Sequence, residues 1–280
     1  MNASTKAMVD SVSGAANSIF NNIAPADVVE QPYPYLYKDQ LLRPDLFQRL
    51  KAEFPADKLF DGRPTLIGSR TGRDFFKGDP EFNGFLAGSP AWKEFYDYIN
   101  SRDFLDLTLQ LFGPYFQKFG CAVNAGKAKQ VEYTEDRLSL WWRSKKALYL
   151  GMGRKANPNN LFTRFDIEQS GAGYDKPVHC DWPSRLISMI VYFNDADEIG
   201  MEGGDLRIHE ALEPKAPRDY NRHPKAEQTR IVKTLRPREN MGLLFLCSNN
   251  SYHSVSPIKS VRDYRRFIYL NISSTAENIW

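Results

Sequence analysis

Two short stretches of this 280-residue chain contain the residue types that bind metal ions. His179 and Asp181 are separated by one residue in the sequence VHCD, so on an extended backbone both side chains point to the same face. His253 lies in a second stretch, NSYHSVSP. Two imidazoles and one carboxylate bind one face of a metal ion and leave other positions open, an arrangement that suits Fe(II) reacting with oxygen. The sequence therefore predicts a metal-binding chain that activates oxygen.

Predicted β-strands surround these three residues. The segments 186–194 and 241–247 are nearly continuous apolar runs with the length of buried strands. Residues 205–209 follow the Gly203-Gly204 pair and alternate polar and apolar side chains, which favours a half-buried strand. A last strand is predicted over residues 267–272, and a first core strand opens at residues 161–165. The candidate ligands therefore lie beside strand ends, where a pocket can form.

The order of these parts resembles the Fe(II)/2-oxoglutarate-dependent dioxygenases, and within them the prolyl-4-hydroxylase-like branch. The resemblance covers roughly residues 161–274 and rests on HCD, an apolar strand ending in YFN, GGDLRI, YHSVSPI and an Arg ahead of the final strand. It implies an all-β core with flanking α-helices, a double-stranded β-helix or jelly roll. It also implies Fe(II) as metal and 2-oxoglutarate and O2 as co-substrates, with ascorbate as a supporting reductant.

By this resemblance His179, Asp181 and His253 match the catalytic iron ligands. The family binds the far carboxylate of 2-oxoglutarate with an Arg near the start of the last strand, and Arg265, Arg266 and Arg262 are the candidates here. Arg265 is favoured, because strand alternation would then turn residues 267, 269 and 271 inward and the apolar residues 268, 270 and 272 outward. Arg266 would place the polar Asn271 on the apolar face, and no strand follows Arg262 at once.

The same resemblance supplies expectations for four further side chains. Tyr192 matches a Tyr that hydrogen-bonds the same carboxylate in the prolyl hydroxylases. Tyr174 approaches the H-x-D motif, and Trp182 and Arg185 flank its far side, where related enzymes place groups that touch the substrate. Tyr174, Trp182 and Arg185 are therefore predicted to contact the substrate, with ordinary core or surface roles as the alternative.

The leading functional prediction is oxidation, most simply hydroxylation, of an unactivated C–H bond of a small molecule such as an amino acid, a natural-product intermediate or a sugar, with release of succinate and CO2. One alternative is a protein side-chain hydroxylase of the prolyl type. A second alternative is a jelly roll that binds a ligand without catalysis. The complete set of three metal ligands makes the non-catalytic alternative the weakest of the three.

Composition and length restrict the class of protein further. The chain has 42% hydrophobic residues and a net charge of +3, which suits one large domain and gives no reason to expect a nucleic-acid partner. No apolar run approaches the length of a membrane span. Three cysteines without CxxC spacing favour a reducing compartment, the cytoplasm. We expect a helical extension over residues 1–30 that packs on the domain or on a second subunit, so a homodimer is one alternative. Residues 31–280 are expected to form one domain. Its helical support is expected at about 40–120 and its jelly-roll core at about 121–280.

Three other segments carry predictions. Residues 61–79 are turn-rich and predict a loop near the active-site mouth. Trp141-Trp142, beside three cations, could stack on a flat or sugar substrate, although packing at the rim is the commoner role. Residues 210–239 form a long insertion, predicted to be a lid or binding segment, in which residues 229–234 form a strand.

Overall fold

The computed structural model describes residues 18–61, 72–132, 156–217 and 219–280. The Trp141-Trp142 pair and the first 17 residues lie outside these ranges. In the described part of the predicted extension over residues 1–30, a single 3-10 turn forms at Pro25–Asp27, while Ile19 and Phe20 are buried in the domain core. That part of the extension therefore packs on the domain itself.

The described residues form four α-helices and eleven strands. The helices are α1 (Pro44–Ala52), α2 (Phe82–Gly88), α3 (Pro90–Ile99) and α4 (Arg102–Phe112). The strands are β1 (Tyr35–Lys38), β2 (Gly72–Phe76), β3 (Lys129–Gln130), β4 (Asn160–Ser170), β5 (Lys176–His179), β6 (Arg185–Tyr192), β7 (Leu206–Ala211), β8 (Thr229–Leu235), β9 (Gly242–Leu246), β10 (His253–Val255) and β11 (Arg265–Ser274).

The strands form two sheets, as expected for a jelly roll. The larger sheet has seven strands in the order β1-β9-β6-β11-β4-β2, with β3 beside β4, and the smaller has four in the order β5-β10-β7-β8. All pairs are antiparallel except β3 with β4. Side chains from both sheets line one recess, so the site lies between them.

The helices cover the outer face of the larger sheet. Trp92 in α3 is fully buried and donates from Nε1 to the carbonyl of Leu50 at 3.1 Å. Its ring lies 6.1 Å from Phe165 on β4 and 5.6 Å from Phe193 at the end of β6. Large aromatic side chains of this kind supply much of the apolar burial that stabilises a helix on a sheet. This layer fixes the outer face of the sheet whose inner face carries the site.

Strand β11 confirms the alternation predicted from the sequence. Ile268, Leu270 and Ile272 are buried on the helix-covered face, whereas Phe267 and Tyr269 line the recess. The strand runs between β4 and β6 and pairs with both along most of its length. Any side chain on its inner face is therefore held rigidly.

The segment at residues 61–79 differs from its prediction as a loop. Its described part contains β2, which pairs with the edge of β4 and buries Phe75 completely. The Phe75-Phe76 pair supplies enough apolar surface for an edge strand despite the surrounding glycines and charges. Because β2 belongs to the larger sheet, the sheet takes in one strand from the region predicted as helical support, about 40–120.

Candidate active site

His179 and His253 are neighbours across the smaller sheet. His179 ends β5 and His253 begins β10, where the two residues pair directly and their ring centroids lie 4.3 Å apart. Asp181 follows two residues after His179, and all three side chains are buried. One ligand atom from each residue lies within 4.8 Å of the others. The structure thus brings together the three residues that the sequence predicts as metal ligands.

The two imidazoles are oriented by backbone carbonyls. Nδ1 of His179 lies 2.9 Å from the Pro177 carbonyl, and Nδ1 of His253 lies 3.0 Å from the Ser251 carbonyl. Nδ1 can only donate to a carbonyl oxygen, so Nε2 of each ring is left with a lone pair for a metal. Burial lowers the pKa of both His179 and His253, which keeps the rings neutral. Neutral imidazole is the form that binds metal.

Asp181 is held by four donors, of which Cys247 Sγ is the most distant, 3.8 Å from Oδ2. Arg185 donates from Nη1 to Oδ1 at 2.6 Å, while Ser188 at 2.6 Å and Tyr269 at 3.1 Å donate to Oδ2. Burial acts to raise the pKa of Asp181, but Arg185 and then the two histidines hold it well below its ordinary value. Asp181 is therefore an ionised carboxylate with a fixed orientation.

This donor set fits Fe(II). Two neutral imidazole nitrogens and one carboxylate oxygen form the two-histidine, one-carboxylate set, which leaves coordination positions open on one side. Within the described residues, these three form the group of His, Cys, Asp and Glu side chains whose ligand atoms converge closely enough for one ion. Their shared burial keeps bulk water from the ligand side of such an ion.

Arg265 lies deep in the same recess, at the start of β11. It is 1% exposed, and its guanidinium donates to Ser170 Oγ and to the Gly204 carbonyl, each at 3.0 Å. The guanidinium carbon lies 4.8 Å from the Tyr174 ring and 5.7 Å from the Tyr192 ring. A buried, anchored cation between two tyrosines is suited to binding a carboxylate.

Tyr174 is buried inside the recess and does not lie at its mouth. Its side chain is buried, with its ring facing the Arg265 guanidinium. Burial raises the pKa of Tyr174 and of Tyr192, so both hydroxyls stay protonated and can donate hydrogen bonds. Tyr174 therefore lies at the Arg265 end of the recess, beside Tyr192.

The turn before β7 explains how Arg265 is anchored. Gly203 and Gly204 have φ angles of 79° and 75°, which other residues rarely adopt. A Cβ on Gly203 would lie 1.9 Å from the Pro257 carbonyl oxygen. The close approach made possible by this pair of glycines places the Gly204 carbonyl on the Arg265 guanidinium.

Arg266 and Arg262 do not reach the recess. Arg266 is on the opposite face of β11, where it donates to Asp263 at 2.8 Å and to Asp57 at 3.3 Å. Arg262 donates to the Glu198 carbonyl at 2.8 Å. Strand alternation separates the neighbouring arginines, so that Arg265 lines the recess and Arg266 lies on the other face of β11.

Two residues predicted to contact substrate have other partners. Arg185 is 5% exposed and is engaged with Asp181, so its position is that of a support for a metal ligand. Trp182 is 47% exposed, and the Arg222 guanidinium carbon lies 4.1 Å from its ring centroid. Trp182 therefore lies at the rim of the recess. It does not line the recess itself, but it stacks on Arg222, which does.

Several residues that shape the site were not predicted from the sequence. Tyr269 was placed on the inner face of β11 without a role, and Ser188 follows the same alternation on β6. Lys176 and Arg222 also line the recess. The position of Arg222 depends on the path of the insertion after β7, for which the sequence gives no signal.

Comparisons with known proteins agree with this geometry. Residues 164–272 match the family model of the 2OG-Fe(II) oxygenase superfamily, and this segment contains all three candidate metal ligands together with Tyr192 and Arg265. No curated protein matches the chain. None of the helices in the described residues combines the length and apolar character that crossing a membrane would need.

Similar solved structures include prolyl 4-hydroxylases. One from Phytophthora capsici has 12% identity and a TM-score of 0.44, covering 86% of this chain and 59% of its own. One from Pseudomonas putida has 16% identity and a TM-score of 0.43, covering 86% and 93%. A prolyl hydroxylase from Trichoplax adhaerens, in complex with a peptide fragment of the hypoxia inducible factor oxygen degradation domain, has 13% identity and a TM-score of 0.44, covering 86% and 83%. This chain thus spans less than two thirds of the Phytophthora capsici chain.

The buried His-Asp-His group lies within the matched segment and fits an iron site. Over this segment, which is less than half of the 280 residues, the chain is similar to the 2OG-Fe(II) oxygenase superfamily, and the similarity implies Fe(II), 2-oxoglutarate and O2 as cofactor and co-substrates.

Proposed function

We propose that this protein hydroxylates a C–H bond of a small molecule, with Fe(II) bound by His179, Asp181 and His253 and 2-oxoglutarate bound by Arg265. The observation that carries the proposal is the convergence of the three ligands and the buried Arg265 in one recess. When bound, Fe(II) with 2-oxoglutarate and O2 supplies the oxidising power to replace hydrogen by hydroxyl, while 2-oxoglutarate becomes succinate and CO2.

Arg265 is the group that holds the far carboxylate of 2-oxoglutarate. Its guanidinium is fixed by Ser170 and Gly204, so it loses little freedom when an anion binds. Tyr192 and Tyr174 add hydroxyl donors on either side. Charge-assisted hydrogen bonds in a buried site are stronger than neutral ones, so this end of the recess favours a carboxylate over a neutral group.

Three polar contacts support a small substrate. The Tyr220 hydroxyl donates to the Asp181 carbonyl, the Cys180 amide donates to the Arg222 carbonyl, and the Tyr252 hydroxyl donates to the Asn221 carbonyl, each at 3.0 Å. These contacts fix part of the insertion after β7 beside the metal ligands. The insertion then acts as a wall of the recess, and its groups orient the substrate and exclude water.

The proposal extends to the cellular setting. Cys121, Cys180 and Cys247 are free thiols, which supports a reducing compartment such as the cytoplasm. Ascorbate, as a reductant that keeps iron in the Fe(II) state, belongs to the same proposal. A homodimer stays a prediction.

The test is turnover of purified protein with Fe(II), 2-oxoglutarate and ascorbate, measured as succinate release and oxygen uptake, alone and with amino acids, sugars and peptides. We expect a small molecule to stimulate turnover, and His179→Ala to abolish it. Stimulation by peptides alone would favour the protein hydroxylase instead. Absence of iron-dependent succinate release with folded protein would contradict the proposal.

Neighbouring arginines provide a matched pair for the 2-oxoglutarate site. Arg265→Met is expected to weaken 2-oxoglutarate binding by about tenfold to a hundredfold, because a charge-assisted contact contributes about 1.5–3 kcal/mol. Arg266→Met makes the same change on the opposite face of β11 and serves as the control. Thermal melting of both variants checks folding, and unchanged 2-oxoglutarate affinity in Arg265→Met would contradict the assignment.

A further inference from the structure

The recess contains more cationic side chains than binding of metal and 2-oxoglutarate requires. Arg185 pairs with Asp181 at 2.6 Å, and Arg164 on β4 pairs with Asp166 at 2.9 Å. Arg265 is assigned to 2-oxoglutarate. The cations lining the recess are Arg164, Lys176, Arg185, Arg222 and Arg265. Lys176 and Arg222 are therefore left without an assigned role.

Lys176 and Arg222 are also unpaired within the described part of the chain. No described carboxylate forms an ion pair with either side chain, and neither donates a side-chain hydrogen bond to a described residue. Nε of Arg222 is buried with no hydrogen-bond partner among these residues. A buried donor without an acceptor is unfavourable, and an acceptor supplied by a ligand would relieve that cost.

Arg222 is held in place by contacts that do not use its donors. Its carbonyl accepts a hydrogen bond from the Cys180 amide at 3.0 Å, which fixes the backbone beside the metal-ligand segment. Its guanidinium carbon lies 4.1 Å from the centroid of the Trp182 ring, a cation–π contact. Stacking leaves the edges of a guanidinium free to donate in its own plane. Arg222 is thus a preorganised cation whose donors are available.

Lys176 lies at the start of β5. It pairs with Val255 across the smaller sheet, and both residues line the recess. Burial lowers the pKa of Lys176, and Glu168 on β4 and then Asp181 oppose that shift. Arg185 already compensates the charge of Asp181.

We propose that Lys176 and Arg222 bind a carboxylate of the substrate, which is a small organic acid or amino acid. This inference rests on the proposed function, because it concerns the substrate of the same site. A carboxylate accepts the parallel donors of a guanidinium and carries a single charge.

A carboxylate anchor would make the site specific for free acids. A substrate anchored through its carboxylate would present a nearby carbon to the metal side of the recess, whereas an amide or ester of the same compound would lose the charge on which the anchor depends. Residues inside a protein chain have no free backbone carboxylate. The proposal therefore favours free acids over residues within blocked peptides.

The test measures binding of candidate acids to protein loaded with Mn(II) and 2-oxoglutarate, because the Mn(II) protein does not turn over. Standard L-amino acids and hydroxy acids are each compared with their carboxamides by thermal shift and by titration. We expect at least one acid to bind about tenfold or more tightly than its amide, as one charge-assisted contact predicts. Blocked peptides containing Asp or Glu form a separate arm that detects recognition of an acidic side chain.

Variants assign the preference to residues. Arg222→Met and Lys176→Met should each reduce the acid-to-amide ratio to about threefold or less. Arg230→Met, an exposed arginine on β8 that pairs with Glu210, should keep the ratio. Because both compounds are measured on the same protein, a general loss of stability does not imitate the effect, and Arg222→Gln gives a second variant if Arg222→Met folds poorly.

Three outcomes would overturn the proposal: equal binding of acids and amides, a ratio that survives both variants, or a preference for the blocked acidic peptides. Failure of the proposed function has a different signature. In that case Mn(II) and 2-oxoglutarate would not stabilise the wild-type protein, while the acid-to-amide comparison would still report on the protein without them.

Discussion

At the scale of single residues, the site is organised around the carboxylate of Asp181. A buried charge is costly unless it is paired and hydrogen-bonded, and Arg185, Ser188 and Tyr269 supply those partners. Both oxygens already accept hydrogen bonds, so the carboxylate has a defined orientation before any metal binds. Arg185 also compensates the negative charge of Asp181, so that a metal here would keep more of its positive charge for an anionic co-substrate.

Glu168 gives the stability of the metal-free protein a pH dependence of definite sign. Burial, and then Asp166, raises the pKa of Glu168 from 4.5 to about 8, with Asp74 adding to the rise and Lys176 and Arg265 opposing it. Because the folded protein holds this proton more tightly than the unfolded chain, it binds more protons between pH 4.5 and about 8. The contribution of Glu168 to stability is therefore lost as pH rises through this window.

Glu168→Gln should remove that dependence. Relative to wild type, we expect the variant to gain on the order of 1 kcal/mol or more in free energy of unfolding between pH 5 and pH 8, since one pKa unit corresponds to about 1.4 kcal/mol. Urea unfolding with a chelator present measures it, and Glu227→Gln on the exposed 3-10 turn is the control. A variant-minus-wild-type difference that does not change with pH would contradict the prediction.

At the scale of elements, the turn before β7 links the smaller sheet to the 2-oxoglutarate end of the recess. Gly203→Ala would force a side chain into a left-handed conformation and onto the Pro257 carbonyl, 1.9 Å from the new Cβ. We expect a loss of about 2 kcal/mol or more in stability. Weaker 2-oxoglutarate binding should accompany it, because the Gly204 carbonyl would move away from Arg265.

A second glycine supplies the control for that substitution. Gly84 lies in α2, and a Cβ there would meet nothing within 4 Å. Gly84→Ala should leave 2-oxoglutarate binding intact and raise stability by up to about 1 kcal/mol, as alanine does in a helix. Thermal melting and 2-oxoglutarate titration of both variants make the comparison. Equal effects of the two substitutions would refute the role assigned to the turn.

Features that depend on one segment could be predicted from the sequence, whereas contacts between segments could not. One-residue spacing fixed the common face of His179 and Asp181, and alternation along β11 selected Arg265 over Arg266. Both arguments use periodicity within one segment. The partner of Arg185 and the position of Arg222 depend on how separate segments meet, which periodicity does not encode. The strand β2 was missed because its pairing with β4 outweighs its weak local pattern.

At the scale of the whole molecule, the candidate metal ligands and the candidate 2-oxoglutarate ligands come from different sheets. His179 and His253 belong to the smaller sheet, with Asp181 directly after it, whereas Arg265 and Tyr192 belong to the larger sheet. Metal binding alone therefore crosslinks β5 to β10. Binding of 2-oxoglutarate to that metal adds a connection across the recess, from the smaller sheet to β11. The helices α1 to α4 lie behind the larger sheet and are not part of this connection.

This division predicts an ordered pattern of hydrogen exchange. Mn(II) alone should slow amide exchange around His179 to Asp181 and His253, because ligand binding suppresses local opening of the bound segment. Adding 2-oxoglutarate should extend protection to the start of β11 and to the Gly203-Gly204 turn, with little change in α4. In Arg265→Met the first step should persist and the second should be lost. Protection of β11 by metal alone would contradict the division, because it would mean that the sheets are already coupled without the co-substrate.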